Sequence, residues 1–207
     1  MEELRFFLKQ VMPFEEKELD ESLAFFREIH IRKNEFIVNE DEVCQDAAFI
    51  KTGLFRLFYR LDGTEKNMLF FQENQFLADY YSFLTRTPSK RPIQAIEDSV
   101  VYRISYNDFQ RLFDLSRKWE RLGRILAERA YIFSVQRANR IIHDDPDTRF
   151  ITFLKEYPAL INRVPQYMIA SYLNMTPETY SRVKKRINFR EIERITSIHE
   201  PINKFLI

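Results

Sequence analysis

The segment "IASYLNMTPETYSR", residues 169–182, contains the pattern on which the fold assignment depends. An apolar run ends at Leu173, three residues follow, and a second segment begins at Pro177. Thr176 offers a hydroxyl for a helix N-cap, and proline is tolerated in the first helical turn because the amide there has no helical partner. The pattern predicts two short helices joined by a tight turn, which is a helix-turn-helix.

The two predicted helices, 164–173 and 177–187, each have an apolar face. Ala170 lies where the helices approach most closely, and a large side chain there would clash. Asn174 occupies a position where glycine is usual, because asparagine tolerates the left-handed conformation best after glycine. The residues predicted to be buried are Met168, Ile169, Tyr172, Leu173, Tyr180, Val183 and Ile187.

The opposite face of the second helix carries groups suited to reading DNA. Glu178 and Arg182 are four residues apart and therefore share one face. In the major groove, arginine can donate to guanine O6 and N7, and glutamate can accept from cytosine N4. Lysines behind this face suit phosphates, which position a protein without specifying sequence. An ordinary helical hairpin with a solvated polar face is the structural alternative. The predicted DNA-binding residues are Gln166, Tyr167, Thr176, Glu178, Thr179, Ser181, Arg182, Lys184, Lys185 and Arg186.

The charge distribution also favours a basic contact surface near the C-terminus. The whole chain has a net charge of only +1. Residues 1–45 contain twelve acidic and six basic side chains, a net charge of −6, whereas residues 163–190 contain six basic side chains and one acidic side chain, a net charge of +5. Such asymmetry is typical of a contact surface, although a solvated helix face remains the simpler explanation.

The sequence before residue 105 has two parts with different apolar patterns. Residues 1–28 have helical apolar spacing, and residues 30–104 contain short pieces rich in valine, isoleucine, phenylalanine and tyrosine. Asp62-Gly63 predicts a tight hairpin, since a primed turn needs positive φ. The segment 77–88 interrupts the strands and predicts a short helix or a loop. The predicted strands are "EFIVNE", "AAFIKTG", "LFRLFYR", "NMLFFQ" and "SVVYRIS", which together favour a barrel or sandwich.

A long helix is predicted over residues 116–143, which lack proline. An apolar stripe along it predicts packing along its whole length, either as a spine across its own domain or as a dimer seam. Pro146 ends the helix, because it forces Asp145 out of the helical region. The stripe consists of Trp119, Leu122, Leu126, Tyr131 or Ile132, Val135 and Ile142. The predicted domains are 1–115, then 116–145 as helix and hinge, then 146–207.

Composition excludes several classes of protein. Hydrophobic residues make up 45% and charged residues 30% of the 207, so a packed core is expected. No apolar run is long enough to span a membrane, and the N-terminus lacks a signal-peptide layout, so a cytoplasmic location is expected. The single Cys44 excludes a disulfide and an iron–sulfur cluster, and haem would need Cys44, His30 or His143 as a ligand. No catalytic constellation is present, so we expect no enzyme, and no metal site is predicted.

Taken in order, these parts resemble the Crp/Fnr family of bacterial transcription factors, named after the cyclic-AMP receptor protein and the fumarate–nitrate regulator. The motifs are "FIKTGLFRLF" (49–58), "VVYRISYNDFQRL" (100–112) and, most specifically, "VPQYMIASYLNMTPETYSRVKK" (164–185). The resemblance implies an α+β chain with a cyclic-nucleotide-binding-like β-roll (a double-stranded β-helix), a dimerisation helix and a winged helix-turn-helix. The family's recognition helix starts Arg-Glu-Thr; Glu178 and Thr179 match this motif, and Pro177 replaces its arginine.

The same resemblance identifies weaker candidates for an effector site. Members that bind cyclic AMP have a Gly-Glu pair followed by an Arg-Ser or Arg-Thr pair, and this chain has Ala78-Asp79 and then Ser89, Lys90 and Arg91. Asp79 can accept from a ribose hydroxyl, and Lys90 or Arg91 can meet an anion. The methyl of Ala78 and the stiffness of Pro92 disfavour cyclic AMP, and another small effector or no ligand at all stays open. Ser134 on the long helix is a further candidate contact.

The resemblance therefore implies a homodimeric, sequence-specific regulator that binds double-stranded DNA and can have RNA polymerase as a partner. The dimer would form through the 116–143 helix. The tail after residue 187 shows no clear hairpin turn, so the wing is expected to be missing or replaced by a helix. The alternative is an effector-sensing or protein-interaction module that does not bind DNA, which the loss of the first arginine favours.

Overall fold

The computed structural model describes residues 1–187 of the chain. These residues divide into two compact units, one containing Met1–Tyr59 and Leu69–Ala130, the other containing Arg60–Met68 and residues 131–187. The boundary between the units lies inside the long helix. The predicted replacement of the wing falls after residue 187, outside the described residues.

The first unit contains two helices followed by two antiparallel sheets. Helices α1 (Glu2–Val11) and α2 (Glu16–Leu23) come first, as their apolar spacing predicts. The sheets have the strand orders β1-β8-β3-β6 and β2-β7-β4-β5, which confirms the predicted α+β class and β-rich domain. The strands are β1 (Arg27–Ile31), β2 (Phe36–Val38), β3 (Asp46–Thr52), β4 (Phe55–Leu61), β5 (Thr64–Phe71), β6 (Phe76–Leu77), β7 (Ile93–Ala95) and β8 (Ser99–Ser105).

Aromatic side chains fill the core of this unit. Phe49 lies at the centre, with its ring 5.2 Å from Phe7 of α1 and 5.4 Å from Phe76 of β6. All three rings are at most 4% exposed. Rings of this size remove much apolar area from water and account for the high phenylalanine content.

Two turns in the first half of the chain depend on positive φ. Gly53, between β3 and β4, has φ +112°, and a Cβ there would lie 2.0 Å from Ser99 Oγ, so only glycine fits. Asp62 and Gly63 have φ +48° and +73°, which confirms the tight hairpin predicted between β4 and β5.

Three helices follow or interrupt the strands. The segment 77–88 contains the short helix α3 (Tyr80–Thr85). Helix α4 (Tyr106–Leu115) begins after Ser105, whose hydroxyl accepts from the Asp108 amide at 3.1 Å. Helix α5 (Arg117–His143) is 27 residues long, as predicted.

The apolar stripe of α5 divides into two halves. Trp119, Leu122 and Leu126 are buried, and Trp119 Nε1 donates to Ser22 Oγ at 2.7 Å. The second half, in contrast, is open. Its exposed apolar residues are Tyr131, Ile132, Val135 and Ile142. None of the helices in residues 1–187 combines the length and the apolar character needed to cross a bilayer.

The second unit is mostly helical. The predicted stop at Pro146 is confirmed, because Asp145 leaves the helical region and caps α6 by accepting from the Thr148 amide at 2.9 Å. The tip of the β4–β5 hairpin also belongs to this unit. The helices are α6 (Pro146–Glu156), α7 (Leu160–Arg163), α8 (Gln166–Tyr172) and α9 (Pro177–Arg186).

Candidate nucleic-acid interface

The turn between α8 and α9 has the predicted geometry. Asn174 has φ +54°, the left-handed conformation expected at this position. The Met175 amide donates to the Ala170 carbonyl at 2.9 Å, which closes the end of α8. Ala170 is 1% exposed, so its side chain is buried, as a closely packed position requires.

Helix α9 is held in place by its cap and by its buried face. Thr176 Oγ1 accepts from the Thr179 amide at 3.2 Å, and Pro177 occupies the first turn, as the sequence predicts. Tyr180 and Val183 are buried, and the Tyr180 ring meets that of Phe150 edge to face at 5.5 Å. The opposite face is therefore fixed in direction by packing.

That opposite face presents polar and charged groups to solvent. Glu178, Ser181, Arg182 and Lys185 are exposed, while Thr179 is half-buried. The Arg182 guanidinium donates to Thr179 Oγ1 at 3.3 Å, which holds the arginine along the helix. Hydrogen bonds from the backbone amide of Glu178 and from the Thr176 hydroxyl lower the pKa of Glu178, and Arg182 adds to this effect. Glu178 is therefore an ionised acceptor at neutral pH.

The predicted phosphate-contacting residues differ in their surroundings. Arg186 forms a two-point ion pair with Asp147 of α6, with Nε 3.1 Å from Oδ1, and this pair raises the pKa of Arg186. Lys185 is exposed and Lys184 half-buried on the same helix. The pairing of Arg186 with Asp147 is not indicated by any spacing in the sequence, since the two residues are 39 positions apart.

Gln166 and Tyr167, the two candidates from the first helix, lie in the first turn of α8. Both are exposed, and 57% of Tyr167 is accessible to solvent. Nine of the ten predicted side chains therefore lie in exposed or half-buried positions, and Arg186 is held in an ion pair. The nine are Gln166, Tyr167, Thr176, Glu178, Thr179, Ser181, Arg182, Lys184 and Lys185.

The effector candidates of the first unit form a cluster of their own. The Asp79 side chain is 1% exposed, and Ser89 Oγ donates to its carboxylate at 2.6 Å. The Arg91 guanidinium pairs with the same carboxylate, and the Arg91 amide donates to Ser89 Oγ at 2.9 Å. Asp79, Ser89 and Arg91 thus form hydrogen bonds and an ion pair with one another.

The other effector candidates lie apart from this cluster or beside it. Ala78 is 8% exposed and precedes Asp79. Lys90 points outward and pairs with exposed Asp41. Ser134 is exposed on the second half of α5, where its hydroxyl donates to the Tyr131 carbonyl at 2.7 Å.

Cys44 is buried next to the same region. It is 1% exposed, and its thiol donates to the Asp46 carbonyl at 3.3 Å. Burial raises the pKa of the thiol to about 11, so it stays protonated near neutral pH. A protonated, enclosed thiol is a poor nucleophile and a poor metal ligand.

Comparisons with known proteins support the fold. Residues 28–116 match the family described as "Cyclic nucleotide-binding domain". No curated protein matches the sequence.

Several solved structures share the fold across most of the chain. FixK2 from Bradyrhizobium japonicum has a TM-score of 0.72 at 18% identity, covering 84% of this chain and 98% of its own. A protein of Eubacterium rectale ascribed to the transcriptional regulators of the Crp/Fnr family has a TM-score of 0.68 at 14% identity, covering 89% and 96%. A CooA mutant from Carboxydothermus hydrogenoformans has a TM-score of 0.67 at 16% identity, covering 91% and 95%. The resemblance predicted from the sequence is therefore confirmed at the level of the fold.

Proposed function

We propose that this chain, which has the fold of the Crp/Fnr regulators and contains a cyclic nucleotide-binding domain, is a homodimeric transcriptional regulator that binds double-stranded DNA in a sequence-specific way. One observation carries the proposal. The face of α9 with Glu178, Ser181 and Arg182 is exposed, while the opposite face is locked in place by Tyr180 and Val183.

In this proposal α9 is the recognition helix. Arg182 donates to guanine O6 and N7, and Glu178 accepts from cytosine N4. Lys184 and Lys185 contact phosphates and set the register of the helix on the duplex. Pro177 stands where the family's first arginine would be, so the target sequence differs from the usual one.

The open half of α5 supports a dimer. Tyr131, Ile132, Val135 and Ile142 are 40–72% exposed, which is unusual for four apolar residues on one helix. A second copy of the chain covers them, and two recognition helices then enter successive major grooves about 34 Å apart. A dimer of this kind reads a pseudo-palindromic site. RNA polymerase is proposed as a further partner of the bound dimer.

The Asp79 cluster supports a degenerate effector pocket. The Asp79 carboxylate already accepts the hydrogen bond that Ser89 Oγ donates, and it neutralises the charge of Arg91. A cyclic phosphate would have to displace this carboxylate or lie against it, and like charges repel. Cyclic AMP is therefore not the proposed effector. A small apolar effector is the proposed alternative, because Phe76, Phe83 and Phe109 line an apolar cavity in the same unit, together with the effector candidate Ala78.

The proposal is tested by selecting bound duplexes from a random pool and then measuring fluorescence anisotropy on the selected and on a scrambled duplex. We expect a single enriched half-site, repeated with two-fold symmetry. Arg182→Ala should weaken binding to the selected duplex by about 1–3 kcal/mol and should relax the preference at one position in each half-site.

Lys185→Ala is the matched control, since it also removes one cation from α9. It should weaken binding to both duplexes alike and reduce the slope of log K against log salt by about one. Equal losses on both duplexes for Arg182→Ala would refute the role assigned to Arg182.

The second candidate function is a module that contacts another protein through the same helices. Two observations favour it, the replacement of the first arginine by Pro177 and the pairing of Arg186 with Asp147. A salt slope near zero on random duplex DNA, together with no enriched sequence, would support this alternative.

A further inference from the structure

Three arginines line one cleft of the second unit, at the junction of α5 and α6. Arg137 and Arg140 come from the last turns of α5, and Arg149 comes from the first turns of α6. The cleft is open to solvent, has a volume of about 30 Å³, and its apolar wall includes Phe153 and Tyr172.

Two of these guanidiniums are incompletely satisfied. Arg137 donates to the Tyr172 carbonyl at 2.9 Å and stacks 4.1 Å above the Tyr172 ring. Arg149 donates through Nη1 to the Asp144 carbonyl at 2.8 Å. Within residues 1–187, the Nε atoms of both arginines are buried and lack a hydrogen-bond partner. A buried donor without a partner costs free energy, so both side chains are held at this place at a cost to stability.

The charge in the cleft is positive, because the nearby carboxylates are already paired or cap a helix. Among residues 1–187, Glu156 is the acidic residue lining it, and it forms a two-point pair with Arg140 at 2.7 and 2.5 Å. Of the carboxylates at the start of α6, Asp145 caps the helix and Asp147 pairs with Arg186. Within residues 1–187, Arg137 and Arg149 therefore form no ion pair with a carboxylate that lines the cleft, where three guanidiniums face one carboxylate.

From this geometry we propose that the cleft binds a small phosphate-class oxyanion, either free inorganic phosphate or the phosphoryl group of a nucleotide. The anion accepts from N–H groups on the cleft side of the Arg137 and Arg149 guanidiniums, and the planar guanidinium forks match its oxygens. Tyr172 lies at the end of α8, so a bound anion ties α5, α6 and the first helix of the helix-turn-helix together. This site is separate from the Asp79 cluster and from the face of α9, and it does not depend on DNA binding.

The test is isothermal titration calorimetry on the full chain without DNA, at constant ionic strength in a gluconate buffer without chloride. The probes are inorganic phosphate, adenosine 5′-monophosphate and sodium chloride. We expect saturable binding of one phosphate probe and none of chloride. Tighter binding of inorganic phosphate identifies the free ion as the ligand, and tighter binding of adenosine 5′-monophosphate identifies a nucleotide.

Arg149→Gln should lower the affinity for the phosphate probe about tenfold or more, because it removes one charge-assisted contact. Arg121→Gln is the matched control, since it removes one exposed guanidinium from α5 outside the cleft and should leave the affinity unchanged. The thermal midpoint of each variant without ligand reports whether it is folded.

A second measurement covers the case in which Arg149→Gln fails to fold. In the unmodified chain, NMR of arginine Nε–H groups should show that the signals of Arg137 and Arg149 shift on titration with the probe while that of Arg121 does not. Either the absence of saturable binding by both phosphate probes or equal losses for Arg149→Gln and Arg121→Gln would overturn the proposal.

Discussion

At the scale of single residues, Tyr180 combines a well-packed ring with a poorly placed hydroxyl. The ring contacts Phe150 at an interplanar angle of 87°, yet in residues 1–187 the buried hydroxyl has no hydrogen-bond partner. Removing an unsatisfied buried donor is neutral or stabilising. We expect Tyr180→Phe to raise the free energy of unfolding by about 0–1 kcal/mol in urea denaturation. A loss above about 1 kcal/mol would show that the hydroxyl has a partner after all.

The same residue predicts a dependence of stability on alkaline pH. Burial raises the pKa of Tyr180 to about 12 from an ordinary value of 10.0, so the unfolded chain loses this proton first. The stabilisation is complete below pH 10 and is lost as the pH rises towards 12. Unfolding measured from pH 9 to 12 should show a shallower fall for Tyr180→Phe than for the unmodified chain. Parallel curves would contradict the assignment.

The ion pair between Asp147 and Arg186 restrains one cation of the proposed interface. Asp147→Asn should free Arg186, strengthen binding to any duplex and increase the salt slope by about one, because one more phosphate contact forms. Asp114→Asn, an equal change of charge at an exposed position of α4, is the control. Salt titrations on random duplex DNA measure the affinity and the salt slope of each variant. An unchanged slope for Asp147→Asn would mean that Arg186 lies away from the DNA.

The conformation of a single residue was predictable where it depends only on neighbouring positions in the sequence. Thr176, Pro177 and Asn174 follow from capping and from left-handed backbone preferences, which involve only a few neighbouring positions. The pairing of Arg186 with Asp147 joins residues 39 positions apart, so no spacing in the sequence indicates it. The mutual satisfaction of Asp79, Ser89 and Arg91 likewise depends on how two loops fold towards each other.

At the scale of elements, the hairpin tip and α8 are joined by side-chain hydrogen bonds. Ser171 Oγ accepts from the Asn67 amide and donates to the Glu65 carbonyl, both at 3.0 Å. Asn67 is 2% exposed, and its side chain donates to the Met168 carbonyl at 3.4 Å. This hairpin therefore supports the first helix of the helix-turn-helix along the face opposite to solvent.

Ser171→Ala should lower the free energy of unfolding by about 1–2 kcal/mol, since two hydrogen bonds between the hairpin and α8 are lost. Hydrogen exchange of the Asn67 amide should accelerate in the same variant. Ser181→Ala is the matched control, because it removes an exposed hydroxyl from α9 and should change neither quantity. Unchanged exchange at Asn67 would show that the hairpin is held by other contacts.

The elements themselves were predictable to different degrees. The β4–β5 hairpin and α5 were predicted, because an Asp-Gly turn and a proline-free run of helical spacing are strong signals. Strands β1, β6 and β7 were not identified. Strand β1 begins at Arg27, inside the span 1–28 that was predicted to be helical, and β6 and β7 have only two and three residues, too few to show alternation. The division of α5 into a buried and an open half is also absent from the sequence, whose apolar spacing continues through both.

At the scale of the whole molecule, the open half of α5 predicts how the chain assembles. Ile132, Val135 and Ile142 recur at intervals of three and seven residues, so they lie on one side of the helix, and the intervals fit the seam of a coiled coil. Exposed apolar residues in this arrangement gain free energy when a second copy covers them.

We expect Ile132→Glu combined with Val135→Glu to convert the dimer to a monomer in analytical ultracentrifugation, since a buried unpaired carboxylate opposes association. Specific DNA affinity should then fall sharply, because one helix-turn-helix reads only one half-site. Gln10→Glu adds a negative charge at an exposed position of α1, away from the stripe, and should leave the dimer intact. If the unmodified chain sediments as a monomer at micromolar concentration, or if the double variant stays dimeric, the seam lies elsewhere and the half-site geometry must be rebuilt around another interface.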